Sequence, residues 1–440
     1  MPRQYNFLWR LSRPLLPLVL ARRARAGKED AARLDERYGR YTHRDDLPDS
    51  PIWIHAVSVG ETVAGIALIE ALRAAGDTTP VIVTTNTVTA AARVDALLPS
   101  LDVTHLYQPL DHPDMVAAFL GRLRPRLAVF MESDFWPNLV TMTTTAGIPV
   151  AFVSSQLSDR AIAQWQRHPR MARALFGAAD LVLAVDGTQA DRLTALGAKP
   201  GAVRIGGSLK LPAAASAPDE ALVAMLRGAA GARRLLLAAS THHGEEKIVI
   251  EAASRLGKDW FTVIAPRHPQ RGDEVAMLCS KAGQPARRRG TGALATPDET
   301  IYIADTLGEM DSLFAVADLV FLGGSLVPRG GHNPLEPAAH GLAILTGPHV
   351  FKNSAEFEAL AAAGVVSHVD DAESLASTAA TLAGNADRLA KISKAGRAHA
   401  YETGKRPAKA ASLCLGLMKG ELKKGKPMTG DLMKGGTATS

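Results

Sequence analysis

Six short stretches hold most of the residues able to do chemistry, and each follows a run of apolar residues. The densest is Gly323-Gly324-Ser325-Leu326-Val327-Pro328-Arg329-Gly330-Gly331-His332-Asn333-Pro334-Leu335-Glu336-Pro337, which comes directly after Leu319-Val320-Phe321-Leu322. A glycine-rich turn that feeds a helix start presents backbone N–H groups to an anion. Asn333 is predicted as N-cap, Pro334 as the first helical residue and Glu336 as the partner closing a capping box, so a plain capped helix explains the same residues. Gly324, Ser325, Gly330 and Gly331 form the supporting loop under either reading.

Val57-Ser58-Val59-Gly60-Glu61 poses a similar choice. Ser58 and Glu61 have the S-x-x-E spacing of a capping box, yet a carboxylate at the carboxyl end of a strand also suits a general base. Gly60 lets a substrate approach the backbone. In Met131-Glu132-Ser133-Asp134 the two acids alternate, so a continuing strand would point both the same way. Taken alone, E-x-D is a weak metal signal. Pro266-Arg267-His268-Pro269 holds a guanidinium and an imidazole between prolines, and arginine's forked donors suit a phosphate. An ordinary surface arginine is the alternative. In Ser240-Thr241-His242-His243 the adjacent histidines project differently and make poor joint metal ligands, so ligand contacts are expected from Ser240 or Thr241. Asp305 to Met310 is one more loop after a strand.

These loops belong to a repeating pattern. Short β-rich runs at 52–56, 81–85, 127–131, 150–153 and 181–184 alternate with alanine- and leucine-rich helical stretches such as 62–75 and 90–98. The pattern restarts at 235–239, 261–264, 301–303, 319–322 and 343–345. Such alternation predicts parallel βαβ units, whose ligands bind at the carboxyl ends of the strands. The expected organisation is a basic N-terminal segment (1–50), a first Rossmann-like domain (51–208), a linker (209–218), a second domain (219–418) and a disordered tail (419–440), with the ligand in the cleft between the domains.

Bulk composition narrows the chemistry. Of the 440 residues 47% are apolar and 21% charged, an ordinary globular balance with room for two or three cores. The two cysteines, Cys279 and Cys414, stand far apart, which argues against a disulfide framework or a zinc site. No G-x-x-x-x-G-K-[ST], no G-x-G-x-x-G behind the first strand and no G-x-S-x-G is present, which weakens NTPase, dinucleotide and hydrolase readings. The net charge of +6 is unevenly spread: Arg3, Arg10, Arg13, Arg22, Arg23, Arg25 and Lys28 occupy the first 28 residues without one acid. The apolar run from Leu15 to Ala21 between them is shorter than the roughly 20 residues a spanning helix needs. Basic residues beside a short apolar patch favour an anionic membrane surface over nucleic acid.

Taken in order, the motifs Trp53-Ile54-His55-Ala56-Val57-Ser58-Val59-Gly60-Glu61, Glu132-Ser133-Asp134-Phe135-Trp136-Pro137-Asn138, Leu157-Ser158-Asp159-Arg160, Ser208-Leu209-Lys210, Pro266-Arg267-His268-Pro269 and the 323–337 stretch resemble the Kdo transferases of lipopolysaccharide synthesis (glycosyltransferase family 30). The resemblance runs from about residue 8 to about residue 410. It implies an α/β protein of GT-B architecture, with two Rossmann-like domains facing a cleft, acceptor on the first and nucleotide on the second. It implies inverting transfer of 3-deoxy-D-manno-octulosonic acid (Kdo) from CMP-Kdo to a glucosamine hydroxyl of a lipid A precursor (lipid IVA), with no metal and no cofactor. Glu61 matches the family's general base, and Glu132 and Lys210 match positions that stabilise the transition state. Arg267, His268, Gly308, Glu309, Met310, Asn333, Pro334, Leu335 and Glu336 match loops that bind CMP, Glu336 as a ribose ligand that also caps its helix. The implied location is the cytoplasmic face of the inner membrane, peripheral or weakly anchored.

The chain departs from the family pattern in four places. Asp134 stands where a second glutamate is usual, Gln156 where an arginine commonly precedes L-S-D-R, and Ala90 where a glycine ends a threonine-rich motif. The N-terminal anchor is also short. Two other readings fit the same architecture: a UDP-sugar transferase or sugar-nucleotide epimerase, and a membrane-surface binding protein without catalysis.

Overall fold

The structure, a computed structural model, describes residues 3–41, 44, 46–95, 101–211 and 217–422. Half of the predicted linker (212–216) and most of the predicted tail (423–440) lie outside the described residues. The chain divides into two compact units, Met1–Leu211 with Lys405–Ser440 and Pro212–Gly404.

The first unit is built on seven parallel strands: β1 (Ile52–His55), β2 (Val81–Thr85), β3 (Val103–Tyr107), β4 (Leu127–Met131), β5 (Val150–Ser155), β6 (Leu181–Ala184) and β7 (Val203–Ile205). Their order is β3-β2-β1-β4-β5-β6-β7. The central strands read as unbroken apolar runs because helices cover both faces of the sheet. Successive residues accordingly enter opposite cores: Trp53, Ile82 and Phe130 pack with Phe119 and Phe152, whereas Ile52, Ile54, Val83 and Val129 pack with Leu68 and Ile69.

The second unit repeats the plan with β8 (Arg234–Thr241), β9 (Trp260–Pro266), β10 (Arg287–Arg288), β11 (Ile301–Ile303), β12 (Leu319–Leu322), β13 (Ala343–Thr346) and β14 (Val366–His368). Their order is β10-β11-β9-β8-β12-β13-β14, again all parallel. Both sheets therefore reverse their winding once, between β1 and β4 and between β8 and β12. Ligands of open α/β sheets bind at the carboxyl edge beside that reversal.

One expected boundary is corrected. Residues up to 418 were assigned by sequence to the second domain, but the helix Arg406–Met418 buries Ala410, Ala411, Cys414 and Leu417 in the first unit's core with Ile54 and Leu68. Its alanine-rich face fits closely against the helix Val59–Ala74, a match that sequence order does not reveal.

Candidate active site

In the first unit the loops at the reversal leave β1 and β4. The helix Val59–Ala74 begins with a complete capping box: Ser58 Oγ accepts from the Glu61 amide at 3.3 Å, and Glu61 Oε2 accepts from the amides of Val57 at 2.6 Å and Ser58 at 3.3 Å. The structural reading of Glu61 is thus correct as far as it goes. Because the box is made through Oε2 alone, the capping geometry aims the carboxylate without committing Oε1. Glu61 is nearly buried at 6% exposure. Burial raises its pKa above the ordinary carboxylate value, opposed by the Val57 amide and reinforced by the nearby charge of Glu132. A carboxylate held this way is a better proton acceptor than one in water.

Lys210 Nζ lies 2.7 Å from Glu132 Oε2, and the Lys210 side chain passes directly over Gly60. A Cβ at Gly60 would stand 3.0 Å from Lys210 Cε and 3.2 Å from Nζ. The glycine therefore admits a lysine of this chain, where the sequence suggested room for a substrate. The backbone that carries Lys210 is anchored: the Leu209 amide donates to Ser154 Oγ at 2.7 Å, and the Lys210 amide to Ser208 Oγ at 3.1 Å. Gly60→Ala is expected to fold, since only the mobile end of a side chain must shift. Given the transition-state role that the family resemblance implies for Lys210, displacing it should lower turnover about tenfold or more, a loss of about 1.4 kcal/mol. Turnover at saturating substrate checks this.

The expectation that Glu132 and Asp134 point the same way fails, because β4 stops at Met131 and Glu132 takes φ 51°. Glu132 turns inward, where Oε2 also accepts from Gln156 Nε2 at 3.3 Å and Oε1 is buried without a partner. Asp134 Oδ2 turns to His55 Nε2 at 3.1 Å, Trp136 Nε1 at 2.8 Å and Asn86 Nδ2 at 3.3 Å. Gln156 thus places an amide on Glu132 where the family pattern has an arginine. Among the described residues no group of three or more His, Cys, Asp or Glu side chains is arranged to hold a metal.

In the second unit the glycine loop follows β12 and does not offer its amides to an outside anion. The fully buried Glu245 takes them: Oε2 accepts from His242 at 2.9 Å and Gly324 at 2.8 Å, while Oε1 accepts from Ser325 and Leu326, both at 2.9 Å. The loop closes on itself as Gly331 donates to the Gly324 carbonyl at 2.8 Å, and Gly330 accepts from Lys352 at 3.0 Å. Ser240 takes φ 55°, and buried Thr241 spends its hydroxyl on Glu246 at 3.1 Å, so Thr241 is not the ligand donor expected of it. Sequence reading gave no part to Glu245 and Glu246, which organise this loop from the start of the helix Glu245–Leu256.

The N–H of Leu335 donates to Asn333 Oδ1 at 3.0 Å, but the short helix Leu335–Ala339 starts one residue later than predicted, with Pro334 and not Asn333 at its N-cap position. Glu336 closes no capping box, which corrects the dual role given to it. Its pKa is raised by burial and by Asp311, and lowered by Arg267, so these side chains share one electrostatic neighbourhood. Pro334 and Leu335 are buried and can meet a ligand only through their backbone. Arg267 and His268 are exposed after β9, and Arg267 has no ion pair among the described residues. In the loop after β11, Glu309 is tied to Arg289 at 2.9 Å and to the Thr306 hydroxyl, which leaves the backbone of Gly308 and Met310 to act.

The basic N-terminus forms two helices, Arg3–Ser12 and Leu16–Arg25. Leu16 and Leu20 are buried, and Tyr5 donates to Asp111 Oδ2 at 2.7 Å, while Phe7, Leu8, Leu11, Leu15, Leu18 and Val19 are each at least half exposed. No described helix is long and apolar enough to cross a membrane.

Comparison with known proteins gives a consistent answer. The family description "3-Deoxy-D-manno-octulosonic-acid transferase (kdotransferase)" matches residues 32–213. The chain is 33% identical to 3-deoxy-D-manno-octulosonic acid transferase of Bordetella pertussis over 90% of its own length and 94% of that protein. It is 30% identical to the protein of the same name from Haemophilus influenzae, over 79% of this chain and 82% of that one. A solved glycosyltransferase from Rickettsia africae shares the fold at TM-score 0.56 and 14% identity, covering 84% of this chain and all (100%) of that one.

Proposed function

The chain belongs to the 3-deoxy-D-manno-octulosonic acid (Kdo) transferases, a family of glycosyltransferases with the GT-B fold, and from that premise we propose that it moves Kdo from CMP-Kdo to a glucosamine hydroxyl of a lipid A precursor such as lipid IVA. The observation that carries this reading is the group at the β1/β4 reversal: Glu61 is buried and aimed by its own capping box, beside the Lys210–Glu132 pair. Glu61 takes the proton of the acceptor hydroxyl, whose oxygen attacks the anomeric carbon of Kdo. The bond from that carbon to the phosphate oxygen breaks on the opposite side, so the configuration inverts and CMP leaves with its electron pair. Lys210 holds positive charge beside Glu132 and keeps the second carboxylate from competing for the proton.

Donor binding falls to the second unit in this reading. Arg267 and His268 face the phosphate, the backbone at Gly308 and Met310 and at Asn333 to Leu335 lines the nucleotide, and Glu336 accepts from ribose hydroxyls. Charge growing on the phosphate is met by fixed cations, with no metal and no cofactor. Thermal shift against cytidine and uridine nucleotides tests the donor: stabilisation by CMP supports it, and preference for UDP overturns it. Transfer that persists in EDTA supports the metal-free reading, whereas loss restored by magnesium rejects it.

On the acceptor side, this reading has the protein act at the cytoplasmic face of the inner membrane. Five exposed apolar residues on the two basic helices, with Leu15 in the turn between them, suit shallow insertion among anionic headgroups. Replacing Phe7, Leu11 and Leu18 together with serine is expected to weaken binding to vesicles containing phosphatidylglycerol by about tenfold or more, since each buried apolar side chain is worth about 1.5 kcal/mol or more. Vesicle sedimentation reads this directly, and unchanged partitioning would reject the membrane role.

A further inference from the structure

His242 and His332 form a pair to which the proposed reaction gives no role. Their rings lie 4° from parallel with centroids 5.2 Å apart, and Nε2 of one is 3.0 Å from Nε2 of the other. Gly324, at φ 71°, makes room for them: a Cβ there would stand 3.2 Å from His332 Cδ2 and 3.4 Å from His242 Cδ2. The His268 ring meets His242 edge-on at 5.9 Å. The loop whose amides are consumed by Glu245 therefore brings two imidazoles together beside the residues proposed to hold the donor phosphate.

The hydrogen-bond arithmetic of such a pair is restrictive. At 3.0 Å one Nε2 must donate and the other accept. In the neutral pair the donating ring has a bare Nδ1, so one further proton can be added there without breaking the Nε2 contact. A second would put hydrogens on both facing nitrogens. The pair thus holds zero or one positive charge. Its surroundings disfavour that charge: burial first, then His242, Arg267, Lys352 and His268, push His332 down to about 4. Burial also lowers His242, with Arg329 and His268 acting the same way and Glu245 and Glu246 opposing.

Resting on the proposed donor site, we infer that the His242–His332 pair takes up one proton as the nucleotide's phosphate binds. A negative charge about 4 Å away raises an imidazole pKa by about 3 at an effective dielectric near 20, enough to favour the singly charged form of this pair near pH 7. The donor phosphodiester carries one negative charge, whereas the departing phosphate monoester carries two. A cation that becomes more stable as the second charge develops favours the transition state over the bound donor. The pair is the chain's counterpart to that charge, and the Arg267 guanidinium supplies the fixed part of it.

Calorimetry of CMP binding to the full-length protein, in buffers of differing ionisation enthalpy near pH 6.5, counts the protons. The wild type is expected to bind nearly one proton more per CMP than the double variant His242→Gln/His332→Gln, and cytidine should show no such difference. Comparing wild type with the variant cancels titration of the CMP phosphate itself. 15N shifts of the wild-type imidazoles give a reading that needs no substitution in the loop: both rings of the pair should move toward the imidazolium value with CMP and not with cytidine. CMP binding with no proton difference and unmoved ring shifts would overturn this inference alone. Failure of the wild type to bind CMP would overturn the donor assignment and this inference with it.

Discussion

Glu61→Gln is expected to lower turnover by about 100- to 10,000-fold while leaving the protein folded. Glutamine is accepted at the third position of a capping box, and its carbonyl oxygen can still receive the amides of Val57 and Ser58. The cost to stability should therefore stay below the roughly 1 kcal/mol that a whole cap is worth. Substitution thus separates the two roles that the S-x-x-E spacing left entangled. A destabilised protein with near-normal specific activity would reduce Glu61 to a cap. The pH dependence adds a second signature: burial raises the Glu61 pKa, so its base form is lost at a higher pH than for an ordinary carboxylate. The acid limb of kcat/KM should consequently lie above the usual carboxylate range, and activity should fall as pH drops through it.

Glu245 is expected to produce the largest structural effect. Its two oxygens each accept two amides, and the side chain is fully buried. Glu245→Gln keeps one accepting oxygen and turns an NH2 toward two buried N–H groups, so donors face donors. Leaving buried donors unpaired costs about 1–3 kcal/mol each, and after local relaxation about 3–4 kcal/mol is expected. Hydrogen exchange at Gly324, Ser325 and Leu326 should accelerate by about 100- to 1,000-fold, because exchange reports the local opening free energy. Unchanged protection would mean that the carboxylate does not hold the loop.

Much of the fold was legible in the sequence, and what was not has a common cause. The central strands of both sheets, such as Val81–Thr85, Leu127–Met131 and Leu319–Leu322, are buried on both faces and announce themselves as apolar runs. The four strands that sequence reading passed over, β3, β7, β10 and β14, are the outer strands of the two sheets. Each is partly exposed, so Val103-Thr104-His105 or Arg287-Arg288 carries no continuous apolar signal. The position of helix Arg406–Met418 was hidden for another reason: contacts between distant segments leave no local pattern.

The site was legible as a set of loops but not as a set of contacts. Strand ends located Glu61, Glu132, Arg267 and Glu336 correctly at the carboxyl edges of their sheets, because that follows from topology alone. Which groups pair did not follow. Nothing in the spelling of the glycine loop shows that an internal carboxylate occupies its amides, or that Gly60 accommodates Lys210. Those facts depend on side chains 80 residues away in one case and 150 in the other, counted as 325 − 245 and 210 − 60. The departure at Gln156 gained meaning only from the fold, since the residue bonds to Glu132 and so changes the partner of a proposed transition-state residue.

The central claim is that this chain transfers Kdo from CMP-Kdo to a lipid A precursor. Mass spectrometry of the product formed by purified full-length protein from CMP-Kdo and a tetraacylated lipid A precursor tests it most directly. The account predicts that the acceptor gains the mass of at least one Kdo residue, and that Glu61→Gln abolishes the gain. An acceptor of unchanged mass with folded wild-type protein, or a gain that persists undiminished in Glu61→Gln, would contradict it.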